Sequence, residues 1–147
     1  MTDAPTVLIV DDSAVFARAL GAMCAAVGLP VVGVARTVAD GLAQARAAAP
    51  AVVLMDAVLP DADGFAATAA LVAERPELFV IVVTAHEEEP YRALALAAGA
   101  AAFINKARVG AELEPLLREV AEGWCRGEQG RRSDARGDGL VGGRSDA

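Results

Sequence analysis

Three carboxylates, a hydroxyl and an ammonium fall at matching places along this sequence. Asp11 and Asp12 directly follow the apolar run 6–10, Asp56 follows 51–55, Thr84 follows 78–83, and Lys106 comes just after 101–104. Singly, each has an ordinary role. An aspartate after a strand is commonly a turn or capping residue, a threonine can simply end a strand, and a lysine is commonly solvated. Jointly the pattern is harder to dismiss, because every group sits at the same end of its own apolar run. Three carboxylates brought together either raise a pKa strongly or hold a cation. Hard oxygen donors suit Mg²⁺, which keeps several waters and bridges to phosphate. Beside such a cation a carboxylate can attack phosphorus, and a hydroxyl and an ammonium can hold the remaining phosphoryl oxygens.

These groups converge only if the runs are strands lying side by side in one direction. The five runs, "TVLIV", "VVGVA" (31–35), "AVVLM", "LFVIVV" and "AAFI", are short and mostly continuous rather than alternating. Strands buried on both faces of a parallel sheet have this pattern. Helical segments alternate with them. One spans 13–27, with Phe16, Leu20, Met23 and Val27 on one face and Gly28 as its stop. A second opens at "TVAD", with Thr37 as cap and Asp40 three residues on, and ends before Pro50. A third runs 64–75, to Pro76. A fourth runs about 89–98, with Glu87, Glu88 and Glu89 at its positive end and Gly99 at its exit. A fifth runs about 110–124, with Leu113, Leu116, Leu117, Val120 and Trp124 as its stripe and Pro115 in its first turns. Five β-α units in succession predict an α/β fold with a parallel sheet covered by helices on both faces. Function then gathers at the carboxyl ends of the strands. The second strand ends in Ala35 and Arg36, to which this reading assigns no role.

The 147 residues, 55% of them hydrophobic, suffice for one domain with a real core. Apolar runs stop well short of a bilayer span and the start "MTDAPT" has no signal-peptide pattern, so a cytoplasmic protein without membrane contact is expected. The net charge of −7 argues against direct nucleic-acid binding, which rests on cationic contacts to phosphate. Residues 1–124 hold 8 basic and 16 acidic side chains, and 125–147 hold 5 and 4, so the acidity belongs to the first part. From 125 onward the chain is mostly Gly, Arg, Ser and Asp with few apolar residues, and a disordered polar tail is expected there. Cys24 and Cys125 match no zinc or redox spacing.

On "LIVDD" (8–12), "VVLMDAVLPDADG" (52–64), "VVTA" (82–85) and "AAFINK" (101–106), the chain resembles the receiver domains of two-component response regulators. The matching pieces are spread over residues 6 to about 123, and a receiver domain is expected over 1–124. It implies the flavodoxin-like, CheY-like fold: a five-stranded parallel sheet of order 2-1-3-4-5, doubly wound with five helices. Asp56 would be the phosphoacceptor, served by a sensor histidine kinase or a phosphotransfer protein. Asp12 and Asp56 would bind Mg²⁺ directly, Asp11 through water, with the Val58 backbone carbonyl as a further ligand. Thr84 and Lys106 would engage the phosphoryl group. Phe103 occupies the place of the family's switch aromatic, and would turn inward as Thr84 moves, remodelling the face of helix 4, strand 5 and helix 5 for a downstream protein.

Three positions depart from the common family pattern. Ala107 follows the lysine where many receivers have proline after a cis bond, a bond that before alanine would cost roughly 3 kcal/mol. Phe103 has no phenolic hydroxyl. Val58 and His86 flank the path of water to the phosphoaspartate, and of the two only His86 can position a water. The expected function is a stand-alone receiver, monomeric or dimerising on phosphorylation, that is a signalling switch and not an enzyme. Alternatives are a fragment or diverged form of a NarL/LuxR-type transcriptional regulator, which "LLREVAEGW" in the fifth helix resembles, or a pseudo-receiver that binds partners without phosphate. A haloacid-dehalogenase-type phosphatase is disfavoured, because it wants an acid where Val58 stands. Nucleotide binding has no glycine-rich loop to support it.

Overall fold

A computed structural model describes residues 4–86 and 88–125. The strands are β1 (Val7–Val10), β2 (Val31–Ala35), β3 (Val52–Met55), β4 (Phe79–Thr84) and β5 (Ala102–Asn105). The helices are α1 (Ala14–Ala26), α2 (Val38–Ala48), α3 (Gly64–Glu74), α4 (Glu88–Ala97) and α5 (Glu114–Cys125). All strand pairs are parallel and their order is β2-β1-β3-β4-β5, as the resemblance implied. β1 and β3 are fully buried because each is covered on both faces. On one face Val7, Ile9, Leu54 and Ile81 pack against α1 and α5 through Leu20, Cys24 and Leu117, and against Leu113 just before α5. On the other, Leu8, Val10, Val53 and Met55 meet α2 and α3 through Ala45, Ala67 and Leu71. A smaller cluster of Ala57, Val82, Ala95, Ala100 and Phe103 seats α4.

The first three helices begin and end close to where their caps predict. Ser13 caps α1, its hydroxyl accepting from the Phe16 N–H, and Gly28 follows at φ +83°. The stripe of α1 is rotated from the expected one: Ala17, Leu20 and Cys24 are buried, while Phe16, Met23 and Val27 pack at its edge. Burial pushes the Cys24 thiol up to about 11, leaving it unreactive. Thr37 caps α2 by accepting from the Asp40 N–H.

The last two helices differ from expectation, both because of proline. Glu89, expected as the start of α4, has extended angles (φ −103°, ψ 137°), because the residue before a proline is driven out of the helical region. Regular helix in α4 therefore begins at Pro90. The stretch 110–113, expected as the first turn of the fifth helix, instead belongs to a π turn (Val109–Leu113), which a 3₁₀ turn (Lys106–Arg108) precedes. Pro115 has no N–H to donate and its ring would clash inside a helix starting at 110. With α5 starting at Glu114, the proline falls in the first turn, where no donor is required. The Lys106–Ala107 peptide is trans, Glu89–Pro90 being the one cis bond among the described residues. α5 includes Cys125, the first residue of the expected tail. The remaining tail, 126–147, and Glu87 of the acidic trio lie outside the described residues. Among the described residues no helix is long and apolar enough to cross a membrane.

Candidate phosphoryl-transfer site

The sheet ladder itself brings two of the acids together. Val10 and Met55 are partners on β1 and β3, and the next residues on each strand are Asp11 and Asp56. Pairing continues past the strand ends, with Asp56 N–H donating to the Val10 carbonyl and Asp11 N–H to that of Ala35, both at 2.9 Å. Asp12 is exposed at the same rim, and oxygens of Asp11, Asp12 and Asp56 lie within 4.8 Å of one another. Ser13 supplies the cap of α1, which leaves Asp12 without that duty.

Lys106 spans the two buried acids, with Nζ 2.9 Å from Asp11 Oδ2 and 3.2 Å from Asp56 Oδ2. The same ammonium stands 4.4 Å from the centre of the Phe16 ring. The other oxygens are also used: Asp11 Oδ1 accepts from the Ser13 N–H at 2.8 Å, and Asp56 Oδ1 from the Val58 N–H at 3.3 Å. Asp56 is only 6% exposed, and that burial raises its pKa above the ordinary 3.8. Lys106 draws it down, Asp11 adds to the rise, and burial prevails. For Lys106 burial opposes the charged form, but the hydrogen bond to Asp11 and the charges of both acids outweigh it and raise the pKa.

The loop after β3 needs its glycine. A Cβ on Gly64 would stand 2.0 Å from the Asp56 carbonyl oxygen, and the Gly64 N–H donates to the Ala57 carbonyl at 2.7 Å. The tight return of the chain onto the Asp56 peptide explains why the segment from Asp56 through Pro60 ends in glycine.

Thr84 closes β4, fully buried at the same edge, and its hydroxyl accepts from the His86 N–H at 3.4 Å. The exposed His86 ring rests edge-on against Tyr91, 5.3 Å between centres, and Tyr91 in turn meets Phe65 at 5.7 Å. Val58 is largely exposed beside the acids. Phe103 is buried, 3% exposed, with the Arg92 guanidinium 5.1 Å from its ring centre.

Four participants at this rim escaped the sequence. Phe16 reads as one more apolar residue of α1, and Asn105 has no assigned role within "AAFINK". Arg36, to which the reading gave no role, donates from Nη2 to the Asp12 carbonyl at 3.1 Å. Asp61 reaches from the β3–α3 loop to the start of α2, accepting from Val38 N–H at 2.8 Å and Ala39 N–H at 3.0 Å. Arg36 could have been suspected from its place at a strand's carboxyl end. The other three carry no local signal.

The donor set fits a divalent cation. Three carboxylates face one ammonium, so negative charge remains uncompensated, and every donor is a hard oxygen.

Residues 7–118 match the family model described as the response regulator receiver domain. The response regulator GacA of Pseudomonas viridiflava is 38% identical over 118 residues, covering 80% of this chain and 55% of GacA. The DNA-binding transcriptional activator DevR/DosR of Mycobacterium tuberculosis is 33% identical, covering 80% of this chain and 54% of its own. The chain thus spans about half the length of these curated relatives. A CheY-like receiver domain protein from Methanospirillum hungatei superposes with a TM-score of 0.69 at 26% identity, over 82% of this chain and 98% of that one. Together with the parallel order β2-β1-β3-β4-β5 and the acid cluster on its rim, these matches establish that the chain belongs to the response-regulator receiver domains.

Proposed function

We propose that Asp56 accepts a phosphoryl group from a sensor histidine kinase or a phosphotransfer protein, and that the chain signals by the conformational change that follows. The observation that carries this reading is the position of Lys106 between Asp11 and Asp56, beside an exposed Asp12. An oxygen of Asp56 attacks phosphorus, the bond from phosphorus to the donor nitrogen breaks, and that nitrogen takes up a proton. Lys106 then exchanges its contact with Asp56 for the phosphoryl oxygens, and Thr84 gives up the His86 N–H and turns toward them. Mg²⁺ held by Asp11, Asp12, Asp56 and the Val58 carbonyl would supply charge neutralisation for the incoming group.

Movement of Thr84 stabilises the inner position of Phe103, and the face of α4, β5 and α5 then presents the state to a protein target. Phe103 acts by packing alone. In this reading the receiver stands alone, as a monomer or a phosphorylation-dependent dimer, in the cytoplasm, and its chemistry is confined to its own phosphorylation and dephosphorylation. The relatives favour a second reading of the output. DevR/DosR is a DNA-binding transcriptional activator, and this chain would then be the receiver part, or a diverged form, of such a regulator. The gene sequence beyond codon 147 separates the two.

The phosphoacceptor reading is tested by adding Mg²⁺ and a small phosphodonor to the full chain and measuring its mass. The expected result is one alkali-labile phosphate increment in the wild type and none in Asp56→Ala. No increment at saturating donor, or one that survives in Asp56→Ala, overturns the reading.

A further inference from the structure

Asn105 ends β5 as the ladder partner of Thr84. Its side chain makes two hydrogen bonds in opposite senses. Oδ1 accepts from the Ala107 N–H, and Nδ2 donates to the His86 carbonyl, both at 2.9 Å. The first fixes the peptide just after Lys106. The second fixes the residue whose own N–H donates to the Thr84 hydroxyl. One amide therefore ties the segment that carries the ammonium to the segment that carries the hydroxyl. The chemistry of the two partners admits only this orientation, since an N–H must meet an acceptor and a carbonyl a donor. The peptide after Lys106 is trans and carries an N–H, because residue 107 is alanine and not proline. That N–H requires an acceptor, and Asn105 provides it.

We propose that Asn105 is a positioning residue that sets Lys106 and Thr84 at a fixed separation for phosphoryl transfer. The proposal rests on the phosphoacceptor reading of Asp56. A simpler role, capping the 3₁₀ turn at Lys106, uses only the Ala107 bond. The two roles part at Asn105→Asp, which keeps the acceptor for Ala107 but has no donor for the His86 carbonyl. Asn105→Ala loses both bonds and adds no charge, so a slowing common to both variants is not electrostatic.

Two measurements on the full chain decide it. The first is amide hydrogen exchange at His86, without phosphodonor. The second is the rate of Asp56 phosphorylation by a small phosphodonor with Mg²⁺. Both variants are expected to exchange several-fold faster at His86 and to phosphorylate roughly fivefold more slowly, the scale of one net hydrogen bond. Wild-type exchange in Asn105→Asp overturns the tie, whatever the phosphorylation rate. Faster exchange with an unchanged rate overturns the positioning role. If the wild type itself takes no phosphate, the phosphoacceptor reading fails and the positioning role with it, while the exchange data still decide whether the tie exists.

Discussion

On the proposed reaction the Lys106 ammonium moves toward a phosphoryl group, so it should not be locked by carboxylates alone. In Lys106 the charge is shared between Asp11, Asp56 and the face of Phe16, at 2.9, 3.2 and 4.4 Å. The ring attracts the cation without fixing a direction, so it can follow Nζ as the partners change. Phe16→Leu keeps the apolar volume at the edge of the α1 core and removes the quadrupole. Phosphorylation with a small donor should slow by a few-fold, the range of a partly desolvated cation–π contact. Phe16→Tyr, which restores the ring, should recover the rate. Equal rates in Phe16→Leu and wild type would reduce Phe16 to packing. The five chemical groups themselves were legible in the sequence because each follows its strand directly. Their supports were not. Phe16 and Asn105 act on Lys106 and His86, distant along the chain, and nothing in local spacing marks them, while Arg36 is marked only by its place after β2.

Secondary-structure elements carry the site only if the loops between them are tied down. Asp61 does this for the β3–α3 loop. Its carboxylate accepts from the first two N–H groups of α2, which have no partner within the helix, while Thr37 takes the next. These backbone hydrogen bonds hold the Asp61 carboxyl below the usual 3.8. A depressed pKa means that the folded state binds its proton less readily than the unfolded chain. The stabilisation is therefore complete above the unfolded value and is lost as pH falls through the folded one. Asp61→Ala should lower Tm by a few degrees at neutral pH, and the gap from wild type should close as the solution is acidified below about 4. A gap that stays constant with pH would show that the ion is not responsible. The strands and the first three helices were legible because continuous apolar runs and local caps specify them. The start of α5 was misplaced because Pro115 shifts where a regular helix can begin, whereas Pro90 only takes Glu89 out of the regular helix of α4. The bridge from Asp61 to α2 was invisible because it joins two βα units.

On the scale of the whole molecule, the sheet gathers its negative charge at one end. The chain carries −7 overall, and its rim places three carboxylates within 4.8 Å of one another against a single ammonium. A binder of the folded state stabilises it by mass action, by about 2.7 kcal/mol at a hundredfold excess over Kd. Mg²⁺ should therefore raise Tm, and by more than sodium chloride of equal ionic strength, which only screens the repulsion. The two adjacent aspartates should respond differently. Asp12 is exposed, so Asp12→Asn should leave the metal-free Tm nearly unchanged and abolish most of the rise with Mg²⁺. Asp11 is 2% exposed, bound to Lys106 and to the Ser13 N–H, so Asp11→Asn should alter the metal-free Tm as well. An equal rise with Mg²⁺ in wild type and Asp12→Asn would remove Asp12 from the metal site. The cluster would then be an acidic rim held by Lys106 alone.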